Sequence, residues 1–592
     1  MRNEYPRPQF VREKWVNLNG QWQFDFDYEA IGTRKQWFNP EVKLTQTINV
    51  PFVYQADISD FADSKPSEVV WYKRELVLEK LTPVTVLHFG AVDYQADVYV
   101  NGHYVGQHIG GHTSFSFDIS NFVVTGTNDI TVKVTDYITA EWIPRGKQYW
   151  KPKSESIWYT NTTGMWQSVW LEQLEERYLK RVRLIPNLDH QTIEIIPEFN
   201  QVETGMKLRT LITFNGEMVV DAVVGVTHNC LAMSYEVLGQ KIMHSAAHGP
   251  GRTWSPDHPN LFDVQFELLV DDVVVDRVTS YFGMRKIHVE DGVIFLNNRP
   301  FYQKLVLDQG YWPKTLMTAP SDQAFIDDIK LSKAMGFNGC RKHQKVEDPR
   351  FFYHADKLGF LVWGESASPA NYQPQTVGLV IREWEEIIDR DGNHPSIIVW
   401  TPANESWGIS DVNHSREQQH FMQALYHYVK SQDTTRLVVV NDGWEMLETD
   451  LIGIHNYNHG NQNETKKYAR YQANLATTEQ LLSSLHAGRQ VMAGGYPYQN
   501  QPILLTEFGG IAYSAGQSAD DAWGYTSTDT EEEFIADYQR LMDAIDKSEA
   551  LHGFCYTQLT DVEQETNGLL TYDRQIKIPL EAIREMNDQI GY

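Results

Sequence analysis

Two glutamates that follow short apolar runs are the residues of this chain best placed to do chemistry. Glu405 comes after the run 396–400, and Glu507 comes after the run 502–506. An apolar run without polar alternation is typical of a strand buried on both faces of a parallel sheet. A helix could hold the first run, but prolines bracket it too closely and its β-branched residues favour a strand. In a barrel of parallel strands, residues just past the C-terminal end of a strand line the active site.

The spacing of the two glutamates fits two strands of one barrel. They lie about a hundred residues apart, which is about three strand–helix units of roughly 30 residues each. If Glu405 ends the fourth strand, Glu507 ends the seventh. Two carboxyl groups in one pocket can hydrolyse a glycosidic bond, because one donates a proton to the leaving oxygen and the other attacks carbon or activates water. Either glutamate alone could be a strand-end carboxylate in a surface loop, but the pair favours catalysis.

Their surroundings must separate the two carboxyl groups into an acid and a base. Arg341 ends another predicted strand, and its guanidinium is expected to hold one carboxylate ionised. An apolar wall formed by Trp400 or Trp407 could keep the other one protonated. Which glutamate lies beside Arg341 stays open at this point.

Further polar and aromatic residues follow the predicted strands and would meet at the same end of a barrel. A sugar site needs fixed donors and acceptors and an aromatic surface. The residues predicted to supply them are Asp308, Gln309, His343, Glu365, Asn441, Asp442, Trp444, His455, Asn456 and Tyr457. His343, His455 and His459 could in principle bind a metal, but they lie on three loops without HxH or HxxxH spacing, so hydrogen-bonding roles are predicted instead. No metal and no cofactor is expected.

The segment 284–592 has the alternating strand and helix pattern that would position these residues. The strands predicted there are 303–307, 337–341, 359–363, 396–401, 436–440, 451–455, 502–506 and 552–556. Ser321 and the pair Asp348-Pro349 are typical of helix starts. Eight strands with intervening helices predict a (β/α)8 TIM barrel.

The two preceding segments are predicted to be all-β. Residues 1–175 have short alternating strands, the hairpin signal Asn101-Gly102 and many aromatic residues, which indicates a jelly roll. The tryptophans near its end could bind sugar, but core or inter-domain packing is the preferred interpretation. The polar stretch 145–150 could be a loop that reaches a neighbouring site. Residues 176–283 are typical of an immunoglobulin-like β-sandwich and show no catalytic cluster, so this domain is interpreted as a spacer.

The composition is that of an ordinary globular chain with an acidic surface. The 592 residues are 42% hydrophobic and 22% charged, and the formal net charge is −27. This charge argues against nucleic acid or an anionic membrane as a partner. Three scattered cysteines indicate no disulfide framework, and no leader or membrane-spanning run is visible, so a cytoplasmic location is expected. The aromatic-rich β domains are compatible with a homo-oligomer.

Several stretches resemble glycoside hydrolase family 2, which includes β-galactosidases, β-glucuronidases and β-mannosidases. The motifs are Tyr5-Pro-Arg-Pro, 15–22, 96–102 and 390–400 followed by Asn404-Glu405. The resemblance implies a retaining mechanism with Glu405 as general acid/base and Glu507 as nucleophile. It also implies that Asn404 binds the sugar 2-hydroxyl, that Tyr457 hydrogen-bonds the nucleophile and that Arg341 lies beside it.

The chain departs from this family where the sugar would be recognised. The glucuronidases carry Asn-x-Lys near the eighth strand, whereas this chain has Glu565-Thr-Asn567, so glucuronidase activity is not favoured. The magnesium-ligand pair of large β-galactosidases is not found in 364–369. We expect an exo-acting retaining glycosidase of β-galactosidase type that acts on a small oligosaccharide or glycoside. The alternatives are α-L-arabinopyranosidase, β-galactofuranosidase, β-glucuronidase or β-mannosidase activity, a transglycosylase, or a carbohydrate-binding protein without catalysis.

Overall fold

The computed structural model describes residues 2–62, 64–239, 251–513 and 523–591. These residues form three successive bodies, each around its own apolar core. The predicted order of jelly roll, immunoglobulin-like sandwich and TIM barrel is confirmed. The predicted limits at 175 and 283 stay predictions.

The N-terminal body is a sandwich of two antiparallel sheets. Its strands are β1 Trp15–Asn17, β2 Gly20–Phe26, β3 Gln46–Val50, β4 Val69–Leu78, β5 Val84–Phe89, β6 Val92–Asp93, β7 Gln95–Val100, β8 His103–Ile109, β9 Phe115–Asp118, β10 Gly126–Thr135, β11 Gly164–Met165 and β12 Val169–Leu174. One sheet has the order β1-β12-β5-β9 and the other β3-β2-β4-β10-β7-β8. Asn101 and Gly102 turn the chain between β7 and β8 with φ values of 51° and 80°, as the hairpin signal predicts.

The central body is a smaller sandwich. Its strands are β13 Leu179–Asn187, β14 Thr192–Phe199, β15 Lys207–Phe214, β16 Glu217–Gly225, β17 Met233–Glu236, β18 Phe262–Val270 and β19 Val273–Phe282. The sheets β13-β14-β17 and β16-β15-β18-β19 enclose its apolar core. Alternating buried and exposed residues along β14 and β15 follow the period of two that a half-buried strand requires.

The C-terminal body is a parallel barrel preceded by a small antiparallel sheet. The strands of the small sheet are β20 Ile287–Glu290, β21 Val293–Leu296 and β22 Arg299–Pro300. The barrel strands are β23 Gln303–Asp308, β24 Gly339–Lys342, β25 Leu361–Glu365, β26 Ile397–Thr401, β27 Leu437–Val438, β28 Ile452–His455, β29 Ile503–Gly509 and β32 Leu551–Thr557, with β30 Ile511–Ala512 and β31 Thr526–Ser527 as a separate short pair. The helices are α1 Asp322–Ala334, α2 Pro349–Leu358, α3 Pro374–Asp391, α4 Arg416–Gln432, α5 Thr465–Leu475, α6 Thr478–Ser483, α7 Glu531–Asp546 and α8 Leu580–Asp588.

The eight predicted barrel strands are all present, and their order is β27-β26-β25-β24-β23-β32-β29-β28. The first strand pairs with the last, so the sheet curls back on itself. Between β27 and β28 the described residues have no ladder; instead the Asp450 amide donates to the Val438 carbonyl at 2.9 Å. The Val438 amide in turn donates to the Asp450 carboxylate at 2.8 Å.

Local signals explain the helix starts and the helix faces. The Ser321 and Asp348 side chains accept hydrogen bonds from the backbone amides of Ala324 and Arg350, which confirms both predicted helix caps. On α3, Val380, Trp384, Ile387 and Ile388 are buried against the sheet as their helical spacing predicts. In the part of the chain that the structure describes, no helix combines the length and apolar character needed to cross a membrane. The cytoplasmic location and the homo-oligomer stay predictions.

Candidate active site

Glu405 lies in a tight turn just past the end of β26. Glu405 and Ser406 both have left-handed backbone conformations, with φ values of 52° and 57°. This conformation costs a residue with a side chain about 1–2 kcal/mol, so neighbouring contacts must hold it. The Glu405 amide donates to the Asp442 carbonyl at 2.8 Å, and the Ser406 amide donates to the Asn441 side chain at 2.9 Å. Residues that follow β27 therefore aim the Glu405 side chain.

Glu507 lies within β29 and faces Glu405 across the barrel mouth. Three atoms lie within 4.8 Å of one another: one carboxylate oxygen of each glutamate and a ring nitrogen of His455. The Glu405 side chain is 16% exposed, whereas that of Glu507 is only 6% exposed. The two predicted carboxylates thus form a close pair in which Glu405 is nearer to solvent.

Positive charge and hydrogen bonds keep Glu507 ionised. Arg341 Nη1 donates to Glu507 Oε1 at 2.8 Å, and the Tyr457 hydroxyl donates to Oε2 at 2.7 Å. Burial alone would raise the pKa of Glu507, but the charges of His455 and Arg341 outweigh it and lower the pKa to about 2. The question that the sequence left open is therefore answered: Arg341 lies beside Glu507.

Arg341 is fully buried and organises the acidic side of the site. Its Nε donates to Glu365 at 2.7 Å, its Nη1 lies 2.8 Å from Asp442 Oδ2, and its Nη2 donates to Asn404 Oδ1 at 2.6 Å. Burial raises the pKa of Glu365 to about 7 even though the arginine charge opposes this shift. These hydrogen bonds hold the Arg341 guanidinium in one orientation, so Arg341 positions Glu507 and Asn404 together.

His455 bridges the two glutamates. Its Nδ1 lies 2.8 Å from Glu405 Oε1 and 3.4 Å from Glu507 Oε2, and its Nε2 lies 3.1 Å from Asp442 Oδ2. Burial disfavours the charged ring, but the charges of Glu507 and Asp442 raise its pKa to about 10. The triad Glu405, His455 and Glu507 has the donor atoms of a metal site, but an imidazolium has no free lone pair for a metal. That no metal binds here stays a prediction.

Two other predicted substrate-binding residues also lie at this site. His343 Nδ1 is 3.0 Å from Arg341 Nη2 and 3.9 Å from Glu507 Oε1. Burial and the arginine charge lower the pKa of His343, so its ring is neutral. The Trp444 ring lies 5.7 Å from the His455 ring, and its indole nitrogen has no hydrogen-bond partner among the described residues. Both residues offer polar atoms to a ligand.

Asp308 is placed away from this constellation. Its carboxylate pairs with Lys342 at 2.7 Å and accepts from the Gly310 amide at 2.8 Å. It contacts neither glutamate of the pair, and its direct role in sugar binding stays a prediction. Trp400 is likewise not an apolar wall of the site, because its indole donates to Asp433 and its ring packs on Trp384.

Trp407, the other candidate for an apolar wall, meets the N-terminal domain. Its ring packs edge-on against Trp158, with 4.9 Å between the centroids. Trp158 lies on the polar loop that follows 145–150, so that loop does reach the barrel. The amides of Arg145 and Gly146 lie close to the Ser368 carbonyl, at 3.3 and 3.1 Å. Gly146 has φ of 59°, and a Cβ there would lie only 2.2 Å from the Gln344 carbonyl oxygen, so only glycine fits this contact.

Four residues of the site were not singled out from the sequence as sugar contacts. They are Lys147, Trp523, Tyr525 and Glu565. Tyr525 stacks on Tyr457 with 3.4 Å between ring centroids, and Trp523 packs beside it at 4.8 Å. Glu565 is buried and accepts a hydrogen bond from the Tyr159 hydroxyl at 2.6 Å. None of the four follows a barrel strand directly, so strand ends gave no signal for them. The polar stretch 145–150, which contains Lys147, and the unexpected Glu565 at the Asn-x-Lys position were the two hints.

Sequence comparison assigns most of the chain to one family. The family description "Glycosyl hydrolases family 2, TIM barrel domain" matches residues 287–592. The sugar-binding domain of the same family matches 15–173, and its central domain matches 180–285. The chain belongs to glycoside hydrolase family 2.

Relatives within family 2 carry two different activity names. A β-galactosidase from Thermoanaerobacter pseudethanolicus is 25% identical over 71% of this chain and 53% of its own length. A β-glucuronidase from Felis catus is 23% identical over 85% of this chain and 81% of its own length. The chain spans about half the length of several curated relatives that it matches.

Solved structures show the same fold. A β-glucuronidase from Ruminococcus gnavus, in complex with N1-substituted uronic isofagomine, covers 99% of both chains with a TM-score of 0.76. Its sequence identity is 21%, so the likeness extends to the fold alone. The ligand named there belongs to that protein.

Proposed function

We propose that this family 2 member is a retaining exo-glycosidase that removes a terminal neutral sugar, of the β-galactoside type, from a small oligosaccharide or glycoside. Glu507 is the nucleophile and Glu405 is the general acid/base. The observation that carries the proposal is the close carboxylate pair, with oxygens within 4.8 Å, of which Glu507 is held ionised. Retaining enzymes place their carboxyl groups about 5–5.5 Å apart, whereas inverting enzymes need about 6.5–9.5 Å to admit water.

The first chemical step gives the two carboxyl groups different roles. Glu507 attacks the anomeric carbon, and Glu405 transfers its proton to the departing glycosidic oxygen. Glu405 Oε1 faces His455, while its Oε2 accepts no hydrogen bond from a described residue and is free for that oxygen. In the second step Glu405, now a carboxylate, removes a proton from water, and the oxygen of that water displaces Glu507 from the sugar.

The contacts of Glu507 support its role as a leaving group as well as a nucleophile. Arg341 and Tyr457 hold one oxygen each, so they can stabilise the carboxylate as the covalent ester breaks. Asn404 is fixed by Arg341 and lies next to Glu405 in the chain, where it can bind a sugar hydroxyl beside the reacting carbon.

A neutral sugar is favoured over a uronic acid by Glu565. This buried carboxylate replaces a residue that resemblance implies for uronate binding, and it would repel the carboxylate of a uronate. Burial raises the pKa of Glu565, because the buried position disfavours negative charge. The β-glucuronidase alternative is therefore less favoured, while β-mannosides, α-L-arabinopyranosides and β-galactofuranosides are neutral and fit the same argument.

The proposal is tested with purified protein and a panel of aryl glycosides. We expect release of the aryl group from a neutral glycoside, first from the β-galactoside, and nuclear magnetic resonance should show that the first-formed sugar keeps the anomeric configuration of the substrate. A matching 2-deoxy-2-fluoro glycoside should label Glu507, which peptide mass spectrometry would locate. Inversion of configuration, or sugar binding without turnover, would exclude the retaining glycosidase.

A further inference from the structure

We propose that Lys147 of the N-terminal domain determines sugar specificity by clamping one hydroxyl group of the terminal sugar against Glu565 of the barrel. This inference rests on the proposed function, because it assigns the site a neutral sugar. It adds a cation to a pocket whose other charged members all belong to the barrel.

Lys147 is a buried cation that forms no hydrogen bond and no close ion pair with a described residue. The residue is only 6% exposed. Its ammonium donates no hydrogen bond to a described residue, and no described carboxylate lies within 4.0 Å of it. The rings of Trp158 and Tyr159 lie beside it, at 5.8 and 5.7 Å from the nitrogen to their centroids. Buried ammonium groups are normally paired, so this one is poised for a ligand.

The charge of Lys147 acts on two groups of the active site. After burial, it is the largest influence on the pKa of Glu565, which it lowers against the overall rise. It also contributes, after burial and Arg341, to the low pKa of His343. His343 lies 3.9 Å from Glu507, so the ammonium acts on a residue beside the nucleophile.

Glu565 is the hydrogen-bond acceptor next to Tyr159, whose ring lies beside Lys147. One of its oxygens accepts from the Tyr159 hydroxyl at 2.6 Å, and the other accepts from Asn567 at 3.0 Å. Each carboxylate oxygen can accept a second hydrogen bond. Glu565 also forms a backbone bridge with Trp523, whose ring packs beside Tyr525 on the aromatic side of the active site.

A hydroxyl group is the chemical group that satisfies both sides at once. It accepts a hydrogen bond from the Lys147 ammonium and donates one to the Glu565 carboxylate. A carboxylate cannot donate to Glu565, and a methyl or hydrogen would leave the Lys147 ammonium without this hydrogen bond. Charged partners of this kind discriminate strongly between a sugar that has the hydroxyl and one that lacks it.

The lysine is held rigidly enough to discriminate. Its carbonyl accepts from the Tyr159 amide at 2.9 Å, and the preceding Gly146 is wedged against Gln344. The Tyr159 hydroxyl donates to Glu565, so Tyr159 contacts both Lys147 and Glu565. The clamp thus exists only when the two domains are docked.

The test compares Lys147→Met with wild type on an aryl β-galactoside and its 4-deoxy and 6-deoxy analogues. For the parent sugar kcat/KM should fall about 10- to 100-fold, the range for losing one hydrogen bond to a charged group. For the analogue that lacks the clamped hydroxyl it should fall less than about 3-fold, because that interaction is already absent. Lys147→Arg should keep part of the discrimination. Lys151→Met, an exposed lysine of the same loop, is the matched control and should behave like wild type.

Two kinds of failure are distinguishable. If Lys147→Met lowers kcat/KM by the same factor for the parent and for every deoxy analogue, the clamp is wrong while the glycosidase proposal stands. If wild type hydrolyses an aryl β-glucuronide and none of the neutral glycosides, the neutral-sugar function and the clamp both fail. Thermal unfolding of each variant reports whether a loss of rate comes from a loss of folding.

Discussion

Two buried clusters of charge flank strand β24, and they differ in whether their charges are satisfied within the protein. Arg341 belongs to the active-site cluster, in which Glu405 Oε2 and the Lys147 ammonium have no hydrogen-bond partner among the described residues. The next residue, Lys342, belongs to a second cluster and pairs with Asp308 at 2.7 Å and Glu347 at 3.1 Å. Successive residues of a strand face opposite sides, so one strand serves both clusters.

The second cluster is closed. Lys345 donates to the carbonyls of Gly310 and Met317 and to Glu347, which are three hydrogen bonds for an ammonium with three protons. The Lys345 ammonium therefore has no proton left for a ligand. Burial of charge alone does not mark a functional site, and the active-site cluster differs from the second cluster in its unfilled hydrogen-bonding capacity.

The largest effect is expected from a substitution in the active-site cluster. Glu507→Gln removes the nucleophile and should lower kcat/KM by about 10⁴-fold or more, with little change in stability, because the amide keeps the size of the side chain. Added azide should restore turnover to Glu507→Gly and give a product of inverted configuration. Glu405→Gly with azide should instead give retention. Near-normal activity of Glu507→Gln would mean that the nucleophile is misassigned.

The next largest effect is expected from a substitution in the second cluster. Lys342→Met leaves Asp308 and Glu347 without their shared cation, and removing one partner of a buried pair costs about 3–5 kcal/mol. Denaturant unfolding should show this loss, while the fraction that stays folded keeps kcat/KM close to wild type. Asp308→Asn is the matching change on the acidic side. A fall in kcat/KM without a loss of stability would instead join Asp308 to the sugar site.

The two clusters should also respond to pH with opposite signs. The pKa of His455 is raised from 6.5 to about 10, so its contribution to stability is full below pH 6.5 and is lost as pH rises toward 10. Burial lowers the pKa of Lys345 from 10.5 to about 8, so stability rises with pH between these values for that group. Against wild type, His455→Asn should make the slope of unfolding free energy between pH 8 and 10 more positive, and Lys345→Met should make it more negative. Equal slopes in all three proteins would contradict both assignments.

The smallest effect is expected from the aromatic residues beside the active-site cluster. Tyr525→Ala removes the ring stacked on Tyr457, and an aromatic pair contributes about 0.5–1.5 kcal/mol beyond its buried area, so KM should rise about 2- to 10-fold. Tyr525→Phe keeps the ring and serves as the control. If both variants raise KM equally, the hydroxyl rather than the stacked ring contacts the sugar.

The two clusters also show how far the sequence could lead. The barrel strands start and end within three residues of the predictions because buried parallel strands are continuous apolar runs between polar loops. Glu405, Glu507 and His455 follow such runs directly, so their meeting was predictable. Asp308 also follows one, but a sequence does not show that Lys342 would take up its charge.

Residues from distant loops were not predictable in the same way. Lys147 and Tyr525 reach the site through contacts between domains or between loops, and no periodic pattern marks such contacts. Glu565 could be noticed only as a departure from the family pattern. The role proposed for Glu565 depends on Lys147, which lies nearly 420 positions earlier in the chain.

The close approach of Gly146 to the Gln344 carbonyl joins the N-terminal domain to the barrel. The two domains have different tasks. In the proposed function, the barrel carries the two reacting carboxylates, while a loop of the N-terminal domain completes the part of the pocket that recognises the sugar. On this proposal, a change in that loop alters which glycoside is accepted and leaves the reacting atoms in place. A larger side chain at Gly146 would displace the loop, because a Cβ there would lie 2.2 Å from the Gln344 carbonyl oxygen, and it should lower the discrimination between sugars more than the hydrolysis itself.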